Sequence, residues 1–111
     1  MINVRITRSS PQGSIIAFAV KGHADYDRRG RDIVCAGVST ATAGTVNAIE
    51  TLTGVVLDST MKDGFLSATL VPVEDEETAA KVQLLLESMV VMLGIIAQSY
   101  GKYIKIQEVT L

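Results

Sequence analysis

The chain contains one cysteine and one histidine among its 111 residues, together with two prolines and no tryptophan. A single cysteine excludes an intramolecular disulfide and is compatible with a reducing compartment. A zinc site normally draws on several Cys or His ligands, and this chain offers two in total, so we expect no metal and no organic cofactor. Thiol or imidazole chemistry must therefore use Cys35 or His23.

Positive charge and long apolar runs are also lacking. The formal net charge is −2, and without a positive field we expect no direct nucleic acid partner. The longest apolar run, Met89 to Ala97, has roughly half of the ~20 residues that a bilayer requires. Residues 1–5 alternate apolar and polar side chains and lack the layout of a secretion signal. We therefore expect a cytoplasmic protein with no membrane partner.

Hydrophobic residues make up 48% of the chain, enough for one core in a single domain that spans residues 1–111. The apolar patterning predicts an α+β fold in the order β-β-α-β-β-α-β, with a single sheet packed by two helices. The predicted ranges are 2–6, 15–20, 33–52, 55–61, 65–71, 74–100 and 102–111. The buried stripe of the first helix is predicted to be Val34, Val38, Ala41, Thr45, Ile49 and Leu52.

The second predicted helix is apolar on every side over residues 89–97. One face of a sheet cannot cover such a helix completely. Either the first helix or a second subunit must cover the rest. The pattern therefore predicts a homodimer, and a helix wrapped by its own domain is the alternative.

Cys35 lies in the first turn of the first predicted helix, three residues after Asp32, which is the predicted N-cap. Unpaired N–H groups and the helix dipole favour a thiolate at such a position. His23 lies where the second strand gives way to a loop, twelve residues before Cys35. A loop that returns from the strand end to the helix start brings imidazole and thiol within reach of each other.

Each of these residues also has a simpler interpretation. A lone cysteine is most often a small buried side chain, and a lone loop histidine is most often a surface residue. Asp32 is most simply a helix cap, with orientation of His23 as a second reading. Ser39 is either bonded to the preceding helical turn or forms a polar wall beside the thiol.

Two motifs narrow these alternatives. Gly22-His23-Ala24, followed by Asp32-Ile33-Val34-Cys35-Ala36-Gly37-Val38-Ser39, resembles the ribosomal-processing cysteine protease family, also called Prp, of Firmicutes and related bacteria. The chain length and the predicted element order are similar to the family throughout. The resemblance implies a homodimeric cysteine endopeptidase that removes a short N-terminal extension from large-subunit ribosomal protein twenty-seven, which allows ribosome assembly.

The resemblance also implies roles for single residues. The family's nucleophile falls on Cys35 and its histidine on His23, and Gly22, Asp32 and Ser39 match motif positions near them. The loop over residues 24–31 corresponds to a segment that closes over substrate, with Gly30 as its hinge.

The predicted chemistry is proton transfer from thiol to imidazole, followed by thiolate attack on a peptide carbonyl. The backbone N–H groups of Cys35 and Ala36 are candidates to bind the oxyanion. An extended peptide is expected along a strand edge or in the groove beneath the loop, with Phe65, Tyr26 and the second helix as candidate walls.

Three other functions remain open from the residues alone. The first is a non-enzymatic ribosome-associated or RNA-binding module, in which Lys21 and the loop arginines Arg28, Arg29 and Arg31 contact phosphate. The second is a thiol acyltransferase that uses the same pair of residues. The third, a structural dimerisation domain, gives no reason for a glycine-bounded polar loop beside a cysteine at a helix start.

Overall fold

A computed structural model describes all 111 residues. The predicted α+β fold is confirmed, with every element in its predicted order. The elements are β1 (Ile2–Arg8), β2 (Ile15–Lys21), α1 (Ile33–Thr53), β3 (Asp58–Lys62), β4 (Phe65–Thr69), α2 (Glu76–Ser99) and β5 (Ile104–Thr110).

The five strands form one sheet in the order β3-β4-β2-β1-β5. Neighbouring strands are antiparallel except for β1 and β5, which run parallel. α1 carries the chain from β2 to the edge strand β3, and α2 carries it from β4 to the opposite edge, as parallel crossovers require. The end of β2 and the turn between β3 and β4 therefore meet at the same end of the sheet, because Lys21 pairs with Phe65.

One face of the sheet is covered by both helices. Val4, Val20 and Leu66 lie in register across three strands and are buried in one core with side chains from α1 and α2. Asn3 and Arg5 alternate with the buried residues of β1 and are exposed. The protein is therefore a two-layer structure with an open sheet face, as expected for a mainly antiparallel sheet.

Both ends of α1 follow their predicted signals. Asp32 is the N-cap, and Gly54 ends the helix with a left-handed φ of 77°. Two details differ from prediction. Leu52 is exposed, so the buried stripe ends at Ile49. The segment 55–57 is not part of β3, because the chain turns the Leu57 side chain into the core before pairing begins at Asp58.

α2 buries only one of its faces. Val82, Leu86, Met89 and Leu93 are buried in the core, whereas Leu84, Val91 and Ile95 on the opposite face are exposed. α2 is also long and apolar enough to cross a membrane by length and composition alone, a property shared by helices that pack in soluble cores. The core therefore covers one side of α2, and the apolar residues on its other side are left exposed to solvent.

Candidate active site

An open cleft of about 640 Å³ lies between the first turns of α1, the loop after β2 and the turn between β3 and β4. All seven predicted site residues line it: Gly22, His23, Gly30, Asp32, Cys35, Ala36 and Ser39. Phe65 also lines the cleft, as predicted, whereas Tyr26 and α2 do not. The predicted contribution of Tyr26 and α2 to the walls is therefore wrong.

Cys35 is half-buried in the first turn of α1, at the floor of this cleft. The backbone N–H of Ala24 donates a hydrogen bond to the Cys35 Sγ atom at 3.2 Å. Since Ala24 directly follows His23, this bond ties the loop that carries the histidine to the sulfur.

Asp32 holds both the helix start and the loop through its two carboxylate oxygens. Oδ1 accepts hydrogen bonds from the backbone N–H groups of Val34 and Cys35, each at 3.0 Å. Oδ2 accepts from Tyr26 at 3.0 Å and from Asp27 at 3.4 Å. Burial raises the pKa of the Asp32 carboxyl, but hydrogen bonds from these four N–H groups outweigh burial and hold the pKa below its usual value.

These bonds decide between two readings of Asp32. Asp32 caps α1 as predicted and forms no hydrogen bond with His23. The predicted oxyanion donors are also engaged, since the N–H of Cys35 donates to the Asp32 side chain and the N–H of Ala36 donates to the Asp32 carbonyl at 3.0 Å. Neither N–H is free to bind an oxyanion in this structure, and that expectation is corrected.

His23 is exposed at the end of β2, and its imidazole rests against Gly64 in the turn between β3 and β4. The backbone N–H of the neighbouring Gly22 donates to the Gly64 carbonyl at 2.8 Å. Imidazole and thiol share one cleft, but no hydrogen bond joins them here. The predicted strands 55–61 and 65–71 leave residues 62–64 as their connection, and no sequence pattern indicates that this turn contacts the histidine.

The loop between His23 and Asp32 is attached to the body of the protein at two further points. The Tyr26 ring packs edge-on against the rings of Tyr100 and Tyr103, at centroid distances of 5.5 and 5.1 Å. Arg29 forms an ion pair with Asp63 in the β3–β4 turn. Gly30 has a left-handed φ of 85°, which permits the tight turn before α1.

Known proteins that are similar to this chain are described as cysteine proteases. The family model described as "Cysteine protease Prp" matches residues 1–105. The ribosomal processing cysteine protease Prp of Bacillus subtilis (strain 168) is 36% identical over 108 residues, which are 96% of this chain and 96% of that protein. Its namesake from Staphylococcus aureus (strain Mu50 / ATCC 700699) is also 36% identical, over 96% of this chain and 97% of that protein.

Two solved structures are similar to this chain in both fold and sequence. The essential ribosomal processing protease Prp from S. aureus, crystallised with a covalently linked product peptide, superimposes with a TM-score of 0.86 at 35% identity, over 97% of this chain and 99% of that one. The same S. aureus protease with a substrate peptide gives a TM-score of 0.81 at 34% identity, with the same coverage. The chain described here belongs to the Prp family of cysteine proteases.

Proposed function

We propose that this protein is a cytoplasmic endopeptidase that removes the short N-terminal extension of large-subunit ribosomal protein twenty-seven during ribosome assembly. In this proposal residues 1–111 form a single protease domain that needs no cofactor. The observation that carries the proposal is the cleft that the half-buried Cys35 and His23 both line. The backbone N–H of Ala24, the residue after His23, donates a hydrogen bond to the Cys35 sulfur.

The proposed reaction begins when His23 takes the proton from Cys35, and the thiolate then attacks the scissile carbonyl carbon. The carbonyl π electrons move to oxygen, and the tetrahedral adduct collapses with loss of the amine, which His23 protonates. Water, deprotonated by the same imidazole, hydrolyses the thioester and releases the acid. The S. aureus relative with a covalently linked product peptide supports a covalent intermediate of this kind.

The Ala24 N–H is the proposed oxyanion donor. It lies 3.2 Å from the sulfur, and the carbonyl oxygen of an adduct on Cys35 forms next to that sulfur. The N–H groups of Cys35 and Ala36 are occupied by Asp32. The Ala24 N–H is bonded to the sulfur in this structure, and in the proposal it exchanges that bond for one to the oxyanion that forms beside the sulfur. Asp32 and Gly30 then act by holding the loop in place, and Ala36 and Ser39 form the wall along α1.

We also propose that the active protein is a homodimer. Leu84, Val91 and Ile95 recur at helical spacing on the outer face of α2, and each is more than half exposed. An apolar stripe of this kind on a helix that has already packed its other face is typical of a subunit interface.

The proposed activity is tested with a peptide that carries the N-terminal extension of the same organism's ribosomal protein. Products are read by mass spectrometry after incubation with the wild type, Cys35→Ala, His23→Ala and the control Thr40→Ala, an exposed α1 residue outside the cleft. We expect cleavage at one bond by the wild type and the control only. Cleavage of a scrambled peptide at a similar rate, or cleavage by Cys35→Ala, would contradict the proposal.

A further inference from the structure

In the β3–β4 turn, a Cβ atom on Gly64 would overlap the imidazole of His23 as the ring lies in this structure. A Cβ atom built on Gly64 would lie 2.7 Å from the His23 Nε2 atom, and 3.3 and 3.4 Å from Cδ2 and Cε1. The first distance is shorter than carbon–nitrogen packing permits. The Nε2 edge of the ring therefore occupies the space that any residue other than glycine would fill.

The backbone around this contact is held on both sides. The Gly22 N–H donates to the Gly64 carbonyl at 2.8 Å, so the residue before His23 is fastened to the residue beneath its ring. Gly22 itself cannot carry a side chain without a shift of the backbone, because a Cβ there would lie 2.6 Å from the Met1 carbonyl oxygen. The main-chain bond between Gly22 and Gly64 thus places the backbone next to His23 against the β3–β4 turn.

We infer that Gly64 is a positioning residue for His23: the bare backbone of the β3–β4 turn packs against the imidazole and sets its orientation in the cleft that His23 and Cys35 both line. This inference rests on the proposed function of His23 as the base and assigns the turn a part in it. The turn alone explains a glycine, since Gly64 has a left-handed φ of 70°. The ring contact is the additional feature, and the two explanations predict different behaviour.

Gly13 provides the matched control. It has a φ of 75° and nothing within 4 Å of a Cβ built on it, so Gly13→Ala imposes the same backbone strain as Gly64→Ala without touching a neighbour. We expect both variants to lower the melting temperature by similar amounts. In Gly64→Ala alone we expect kcat to fall by about tenfold or more, with KM changed by less than about twofold, because the base is displaced and peptide binding is not.

Nuclear magnetic resonance tests the contact without a substrate, because the chain has a single histidine and its ring protons are therefore unambiguous. In the wild type we expect nuclear Overhauser effects between the His23 ring and the Gly64 α protons. In Gly64→Ala the ring resonances should shift, while those in Gly13→Ala should stay at their wild-type positions.

Absence of the wild-type Overhauser effects would overturn the inference even if Gly64→Ala failed to fold. Equal loss of kcat in the two alanine variants would also overturn it, since strain alone would then account for the loss. If the Overhauser effects are present but the protein cleaves no peptide, the contact between Gly64 and His23 stands and the proposed activity is rejected. Failure of the inference and failure of the proposed function are therefore distinguishable.

Discussion

At the scale of single residues, Asp32 links the fold to the site. One carboxylate oxygen caps the helix that carries Cys35, and the other holds the backbone of residues 26 and 27. A cap is satisfied within three residues of the chain, which explains why the sequence pattern was sufficient to predict it. Its bonds to the loop depend on where residues 26 and 27 fold, and no local pattern encodes them.

Replacing Asp32 separates these two roles. We expect Asp32→Ala to lower the free energy of unfolding by about 1 kcal/mol, because two helical N–H groups lose their acceptor. Asp32→Asn keeps one acceptor oxygen for the helix and should be less destabilising. Urea unfolding at neutral pH, followed by circular dichroism, measures both changes, and equal losses in the two variants would contradict this division of roles.

The pH dependence of the same residue has a definite sign. The folded-state pKa of Asp32 lies below its usual value, so the charge stabilises the fold above the unfolded pKa of about 3.9 and the effect is lost as pH falls through the folded pKa. The stability difference between the wild type and Asp32→Asn should therefore shrink from about pH 6 to about pH 2. A difference that stays constant over this range would show that the carboxylate charge contributes nothing.

At the scale of elements, the loop between β2 and α1 is more firmly attached than its glycines and polar residues indicated. The Tyr26 side chain lies outside the cleft and packs against Tyr100 at the end of α2 and Tyr103 just before β5. Tyr26 was one candidate for the walls of the substrate pocket, and no local pattern indicates a contact that spans more than seventy residues. Aromatic packing outside the cleft anchors the loop, and charged residues of the loop line the cleft.

Trypsin reports on this anchor, because the loop contains the three arginines Arg28, Arg29 and Arg31. We expect Tyr26→Ala to speed cleavage after these arginines by about thirtyfold, since two edge-on aromatic contacts, each of about 1 kcal/mol, keep the loop closed. Tyr26→Phe retains both rings' contacts and should be cleaved at the wild-type rate. Identical cleavage rates for Tyr26→Ala and the wild type, read by mass spectrometry, would show that the packing does not hold the loop.

At the scale of the whole molecule, the element order followed from local periodicity, whereas the strand order did not. β4 lies between β3 and β2, so that β3 and not β4 is the edge strand. β5 forms the opposite edge and runs parallel to β1. These choices depend on which apolar faces meet after both crossovers, which is a property of the assembled core. The contact between Gly64 and His23 is a consequence of that strand order, and for this reason no local pattern indicates it.

The outer stripe of α2 leads to a prediction at the same scale. Val91→Glu places a charge in the proposed interface, and we expect it to convert a dimeric sedimentation mass into a monomeric one without loss of helix content. Val56→Glu is the control, because Val56 is about as exposed as Val91 and lies outside the helices. A monomeric wild type at micromolar concentration would contradict the proposed homodimer.

The central claim is that Cys35 forms a covalent bond to the peptide during hydrolysis. The most direct measurement is the intact mass of the protein, quenched in acid after mixing with an ester of the N-terminal product identified in the cleavage assay. We predict a mass increase equal to the acyl peptide on the wild type, mapped to Cys35 by digestion and absent from Cys35→Ala. The same adduct on Cys35→Ala, or peptide cleavage by the wild type with no adduct under any quench time, would contradict the assignment of Cys35 as the nucleophile.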